Sequence, residues 1–219
     1  MQTVPDTELI DFENWTLRIR STTQPASRLL LLIHGWTGDE NSMWVFARDL
    51  PAYYWMVAPR APYATQPGGY SWRQNQTELI GNPTMDMFAG AAERLIKLVD
   101  AYSLSAKVDA SVFDIVGFSQ GALMSSLVTF LYPQRIRKTG ILAGFVPAGL
   151  DKLIAKRSLK DKPFFVTHGT KDETVTIDRA RASIEILERA GAHVTYCEDE
   201  VGHKVSLTCL RALRKFLAE

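Results

Sequence analysis

Short runs of uninterrupted apolar residues alternate along this chain with longer segments whose apolar positions recur at helical spacing. Leu29, Leu30, Leu31, Leu32 and Ile33 are consecutive rather than alternating, as expected of a strand covered on both faces. Comparable strand runs fall at 54–58, 112–116, 140–143, 164–167 and 194–197. Between them lie helix signatures. Asn82 and Pro83 predict an N-cap with proline at the first helical position. From there Phe88, Ala89, Ala92, Leu95, Ile96 and Val99 form a buried stripe. Ile177, Ala180, Ile184 and Leu187 form a second stripe, closed by Gly191 as a left-handed cap. Ser206 predicts the cap of a last helix that turns Leu210, Leu213 and Leu217 inward.

This order implies an α/β fold, with a mainly parallel sheet wrapped by helices. Residues 15–20 alternate more cleanly and predict an antiparallel edge strand. No repeat, low-complexity tract or linker divides the chain, so one domain over 1–219 is expected. Two stretches resist regular assignment. Residues 59–81 are rich in Pro and Gly and hold Tyr63, Tyr70 and Trp72, and loops this long are often functional. Residues 144–162 hold Phe145 and Val146, together with lysines that read as a solvated helix face.

Composition narrows the classes. Lys and Arg number 25 against 24 Asp and Glu, which argues against a nucleic-acid binder working through a general basic field. Two cysteines, Cys197 and Cys209, without a CxxC pair, predict neither a disulfide framework nor a four-cysteine zinc site. The longest apolar runs are far short of the ~20 residues of a membrane helix. No Lys or Arg precedes Arg18, unlike a secretory signal. A cytoplasmic protein without integral membrane association is expected.

The chemistry concentrates on Gly117-Phe118-Ser119-Gln120-Gly121, the only GxSxG in the chain. It follows the 112–116 strand and precedes a helical segment, the context of a nucleophile elbow. The flanking glycines relieve crowding so that the hydroxyl projects, and the helix beginning at Gln120 turns its positive end towards developing charge. A serine hydroxyl needs a base. His193 starts a strand and so lies at the wrong end of a parallel sheet, while His34 and His168 precede the acid in the order Ser, Asp, His. His203 follows the 194–197 strand on a short loop and fits the role. The acid that orients it is read as Asp172, after the 164–167 strand, with Glu198, Asp199 and Glu200 as competitors. Backbone N–H groups of Gln120 and Trp36 are the expected oxyanion donors.

His34-Gly35 after a strand, the Gly-Phe-Ser-Gln-Gly elbow, His168-Gly169-Thr170-Lys171-Asp172 and Gly202-His203 together resemble the phospholipase/carboxylesterase group of α/β-hydrolases, which includes acyl-protein thioesterases. The similarity spans about residues 28 to 217. It implies a lidless α/β-hydrolase that cleaves carboxylic esters or thioesters without cofactor or metal. Trp36-Thr37-Gly38 departs from the small or aliphatic start usual in that oxyanion loop, and Ala122 stands where a further glycine is common. Bulky Trp36, with Tyr63, Tyr70, Trp72, Phe145 and Val146 as pocket walls, predicts short to medium acyl substrates. The expected partner is a small ester or thioester, acted on by a monomer or homodimer. Two alternatives stay open: an acyl-thioesterase or lysophospholipase-like hydrolase, and a hydrolase-fold binding protein that turns nothing over.

Overall fold

The computed structural model describes residues 6–24, 27–66, 68–74 and 81–219. Eight strands form one sheet: β1 (Glu8–Phe12), β2 (Trp15–Arg20), β3 (Arg28–Ile33), β4 (Tyr54–Pro59), β7 (Phe113–Phe118), β8 (Ile136–Leu142), β9 (Pro163–Gly169) and β10 (His193–Asp199). The strands β5 (Tyr63–Ala64) and β6 (Tyr70–Ser71) make a separate small hairpin. Sheet order is β1-β2-β4-β3-β7-β8-β9-β10, antiparallel only at β1·β2 and β2·β4. The expected edge strand at 15–20 is therefore the second strand, because β1 pairs outside it. In Glu8–Phe12 only Ile10 and Phe12 turn half-buried onto the core while the other residues are exposed, too short an alternation to mark a strand.

Alternate residues of β3 feed opposite cores. Leu29, Leu31 and Ile33 pack with α2 (Asp86–Ala106), α3 (Gln120–Leu131) and α5 (Ile177–Arg189). Leu30 and Leu32 pack with α1 (Trp44–Ala47) and α6 (Leu207–Ala218). A strand buried on both faces has no polar side to display, which is why its sequence is continuous. A short helix, α4 (Asp151–Ala155), occupies part of the 144–162 stretch.

Two helix ends behave as expected and one does not. Gly191 takes φ +96° just past α5, and the Ser206 side chain accepts from the Cys209 N–H at the start of α6. The long helix α2 starts at Asp86 instead of Pro83. Thr84 is bridged to Ala148, and Ala148 N–H donates to Pro83 O, so that segment is tied to the β8–α4 loop before the helix begins.

From β3 the chain places β4 on one side and later places β7 on the other. The loops leaving β3 and β7 thus diverge at the carboxyl edge of the sheet and open a crevice between them, the usual ligand position in such sheets. The amino edge is closed differently. Buried Asp114 accepts from Tyr54 Oη at 2.6 Å and from the Arg137 guanidinium, so its charge is paired. Among the described residues no helix is long and apolar enough to cross a membrane.

Candidate active site

Ser119 sits between β7 and α3 with φ 55° and ψ −116°, a backbone region that non-glycine residues rarely adopt. The packing around it explains both flanking glycines. A Cβ on Gly117 would meet Gly121 O at 2.0 Å, and one on Gly121 would meet Ile33 O at 2.0 Å. Only bare backbone lets α3 approach β3 this closely, and that approach sets the serine beside the loop leaving β3.

His203 lies on the loop between β10 and α6, and its Nε2 accepts from Ser119 Oγ at 2.9 Å. Its Nδ1–H donates to Asp172 Oδ2 at 2.7 Å. Asp172 is buried in the loop after β9, where its other oxygen accepts from the Thr174 and Val175 N–H groups, both at 2.9 Å. The structure thus brings Ser119, His203 and Asp172 into one hydrogen-bonded line. The competing acids face elsewhere: Glu198 is paired with Arg181, Asp199 accepts from the Glu200 N–H, and Glu200 is paired with Lys171.

A supporting residue escaped the sequence reading. His168 is buried with Nε2 at 2.7 Å from Val175 O and 3.2 Å from Asp172 Oδ2. Burial holds its pKa below the ordinary histidine value, which keeps the ring neutral. Its Nε2–H braces the segment that presents Asp172. The i, i+4 spacing of His168 and Asp172 was the available signal.

The loop after β3 is organised by His34. Its ring is buried, Nδ1–H donates to Gly35 O at 2.7 Å, and Nε2 accepts from the Ala61 N–H at 2.9 Å. Burial drives its pKa down to about 4, so the neutral ring can donate and accept in this arrangement. Gly38 N–H also bonds Gly35 O, at 3.1 Å. In a trans peptide the carbonyl and the following N–H point opposite ways. With Gly35 O turned towards His34, the Trp36 N–H is turned away from it. Neither Trp36 N–H nor Gln120 N–H is a donor in any hydrogen bond among the described residues.

An apolar cavity of about 160 Å³ opens at Ser119. Trp36, Phe88, Leu123, Phe145 and Val175 form its apolar walls, and Arg73 is the one charged side chain among the described lining residues. Of the expected walls, Phe145 is present, whereas Tyr63, Tyr70, Trp72 and Val146 are not among the lining residues. Trp72 is core: it is 1% exposed and its indole N–H donates to His34 O at 2.8 Å. Its backbone N–H donates to the Gln120 side-chain oxygen, tying this loop to the elbow. Tyr70 pairs through its backbone with Thr37 and Gly38, and its ring lies under the Arg60 guanidinium. Tyr63 belongs to the same hairpin, and buried Val146 donates its N–H to Ser183 Oγ. The aromatics of this loop therefore brace the loop after β3, and of the loop's described residues Arg73 alone lines the cavity.

The cysteines also correct an expectation. Cys197 at the end of β10 and Cys209 in α6 form a disulfide, with Cα atoms 5.6 Å apart. Helix α6 turns back across the end of β10, which brings together two positions that no sequence pattern pairs. Among the described residues no three His, Cys, Asp or Glu side chains converge to hold a metal.

A family model described as phospholipase/carboxylesterase matches residues 14–219. The chain belongs to that family. As a member of the phospholipase/carboxylesterase family it is a hydrolase with the α/β-hydrolase fold. It is 28% identical to acyl-protein thioesterase 1 of Debaryomyces hansenii, over 80% of this chain and 82% of the relative. It is 26% identical to the carboxylesterase SOBER1 of Arabidopsis thaliana over 47% of this chain and 46% of the relative. A carboxylesterase from Mesorhizobium loti superposes with TM-score 0.81 at 20% identity, covering 97% of this chain and 99% of the other. The Bacillus cereus carboxylesterase superposes with TM-score 0.80 at 18% identity, covering 94% and 99%. At these identities the superpositions speak for the fold alone.

Proposed function

We propose that the protein hydrolyses carboxylic esters of short to medium acyl chains through an acyl-enzyme on Ser119. The observation that carries this reading is the line Ser119 Oγ–His203–Asp172 beside an apolar cavity. Ser119 attacks the acyl carbon while His203 Nε2 takes the hydroxyl proton, and Asp172 holds the ring and stabilises the imidazolium. The carbonyl oxygen becomes an oxyanion facing the Trp36 and Gln120 N–H groups and the N-terminal end of α3. Collapse breaks the bond to the leaving alcohol, which takes the proton from His203. Water, deprotonated by the same ring, then attacks the acyl-enzyme, and breakage of the acyl–Oγ bond releases the acid as Ser119 Oγ takes the proton back from His203. No step requires a cofactor.

The chain-length preference is supported by the cavity, whose volume of about 160 Å³ falls below the roughly 300–1,000 Å³ of a drug-sized ligand site. A second reading, thioester hydrolysis, uses the same steps with a thiolate leaving group, and the acyl-protein thioesterase relative favours it. A fluorophosphonate probe should label Ser119 alone, located by peptide mass. Ser119→Ala should lose roughly 10⁴–10⁶ of kcat and still fold. Asp172→Asn should lower kcat strongly, and Glu198→Gln should leave it near wild type. Attachment of the probe at another residue would overturn the assignment. Matched oxygen esters and thioesters, compared by kcat/KM, decide between the two readings.

A further inference from the structure

We infer that Phe145, braced from behind by Arg179, is the end wall that limits the length of the acyl chain. This rests on the reading above, in which the cavity beside Ser119 takes the acyl group. A second cavity of about 200 Å³ lies next to the first, and both count Pro83 and Phe145 among their walls. Phe145 thus stands between the catalytic cavity and a space that the catalytic cavity does not include.

The ring is held from two directions. The Arg179 guanidinium carbon lies 3.6 Å from the centre of the Phe145 ring, a close cation–π contact, and its Nη2 donates to Gly81 O at 3.0 Å. The backbone beside the ring is pinned to α5 as well. Val146 N–H donates to Ser183 Oγ at 2.9 Å, and Ser183 Oγ–H donates to Arg179 O at 2.7 Å. A phenyl ring that was free to swing would give a graded limit on chain length. One clamped between α5 and the catalytic cavity gives a sharp limit. Arg179 acts through Phe145 and is a positioning residue, since it lines only the second cavity.

The test compares kcat/KM for acetyl, butyryl, hexanoyl, octanoyl and palmitoyl esters of one alcohol in wild type, Phe145→Ala, Phe145→Trp and Arg179→Met. A parallel series varies the alcohol at constant acetyl. Phe145→Ala should move the acyl optimum to longer chains, by about fourfold in kcat/KM for each further methylene that finds room. Phe145→Trp should move it to shorter ones, and unfolding cannot produce shifts in opposite directions. Arg179→Met should blur the limit towards longer chains while acetyl turnover stays within about threefold of wild type. An unmoved acyl optimum in both Phe145 variants, with Ser119 still labelled, overturns the wall and leaves the esterase reading intact. A shift confined to the alcohol series assigns Phe145 to the leaving group and overturns the acyl placement. Wild-type protein that neither labels at Ser119 nor turns over acetyl ester sinks both.

Discussion

Ser119 keeps its hydroxyl exposed by occupying a conformation that costs an L-residue of order 1–3 kcal/mol. Alanine at 119 would remove the hydroxyl and keep that strain, whereas glycine would remove both. Ser119→Gly should therefore be about 1 kcal/mol more stable than Ser119→Ala, or roughly 2–4 °C in Tm for a chain of this size. Equal melting of the two inactive variants in calorimetry would deny the strain. Legibility at this scale depended on whether a residue's surroundings are local in sequence. Ser119 could be found because its constraints, the two glycines and the strand and helix either side, sit within a few positions. Trp72 was misread because an aromatic residue in a long loop has the same local sequence whether it lines a cavity or fills a core. What decides its place is an acceptor for its indole N–H, and that acceptor is His34 O, far away in the chain. Arg73, Phe88, Leu123 and Val175 were missed as walls for the same reason.

Among the elements, the β5–β6 hairpin is the least predictable and among the most consequential. Two-residue strands carry no alternation to detect, so residues 59–81 read as loop. Yet Thr37 N–H donates to Tyr70 O and Tyr70 N–H to Gly38 O, both at 3.0 Å, which makes the hairpin a splint for the segment that carries Trp36. Gly69 permits this approach: its φ is +79°, and a Cβ there would lie 1.9 Å from Thr37 O. Gly69→Ala should displace the splint and lower kcat towards the about 10²–10³ loss of one oxyanion donor, with KM changed little. Steady-state kinetics with near- and far-ultraviolet circular dichroism as checks of folding would measure it, and a kcat equal to wild type would separate the hairpin from catalysis. The larger elements were legible because burial on both faces, or along one stripe, writes itself into every position. The strand β1 and the start of α2 were not, since exposure and a tie to the distant β8–α4 loop decided them.

For the whole molecule, the alternation of strands and helices carried the parallel sheet, and the reversal of strand order carried the crevice. Stability should also follow pH in a definite direction. The folded pKa of His34 is pushed down to about 4, below the ordinary histidine value of 6.5, so between those values the unfolded chain binds more protons. The contribution of neutral His34 is complete above about pH 6.5 and is lost as pH falls towards 4. His168, also lowered by burial, acts in the same direction. The His34 share amounts to about 3 kcal/mol at 1.36 kcal/mol per pKa unit. His34→Asn, which retains an N–H donor but does not titrate, should lose about that much less stability than wild type between pH 7 and pH 4. Urea midpoints across the range would read this, and parallel curves would refute it.

The bond between Cys197 and Cys209 turns the arm carrying His203 into a closed ring. On chain-entropy grounds a ring of this length is worth about 3 kcal/mol against opening. Such a bond persists in oxidising compartments and is exposed to reduction by the glutathione and thioredoxin systems of a cytosol. The redox state of the surroundings thereby reaches the loop of His203, the proposed base, without touching the cavity. An expected cytoplasmic address and an intact ring pull against each other, and the compartment in which the chain works sets how tightly its histidine is tethered.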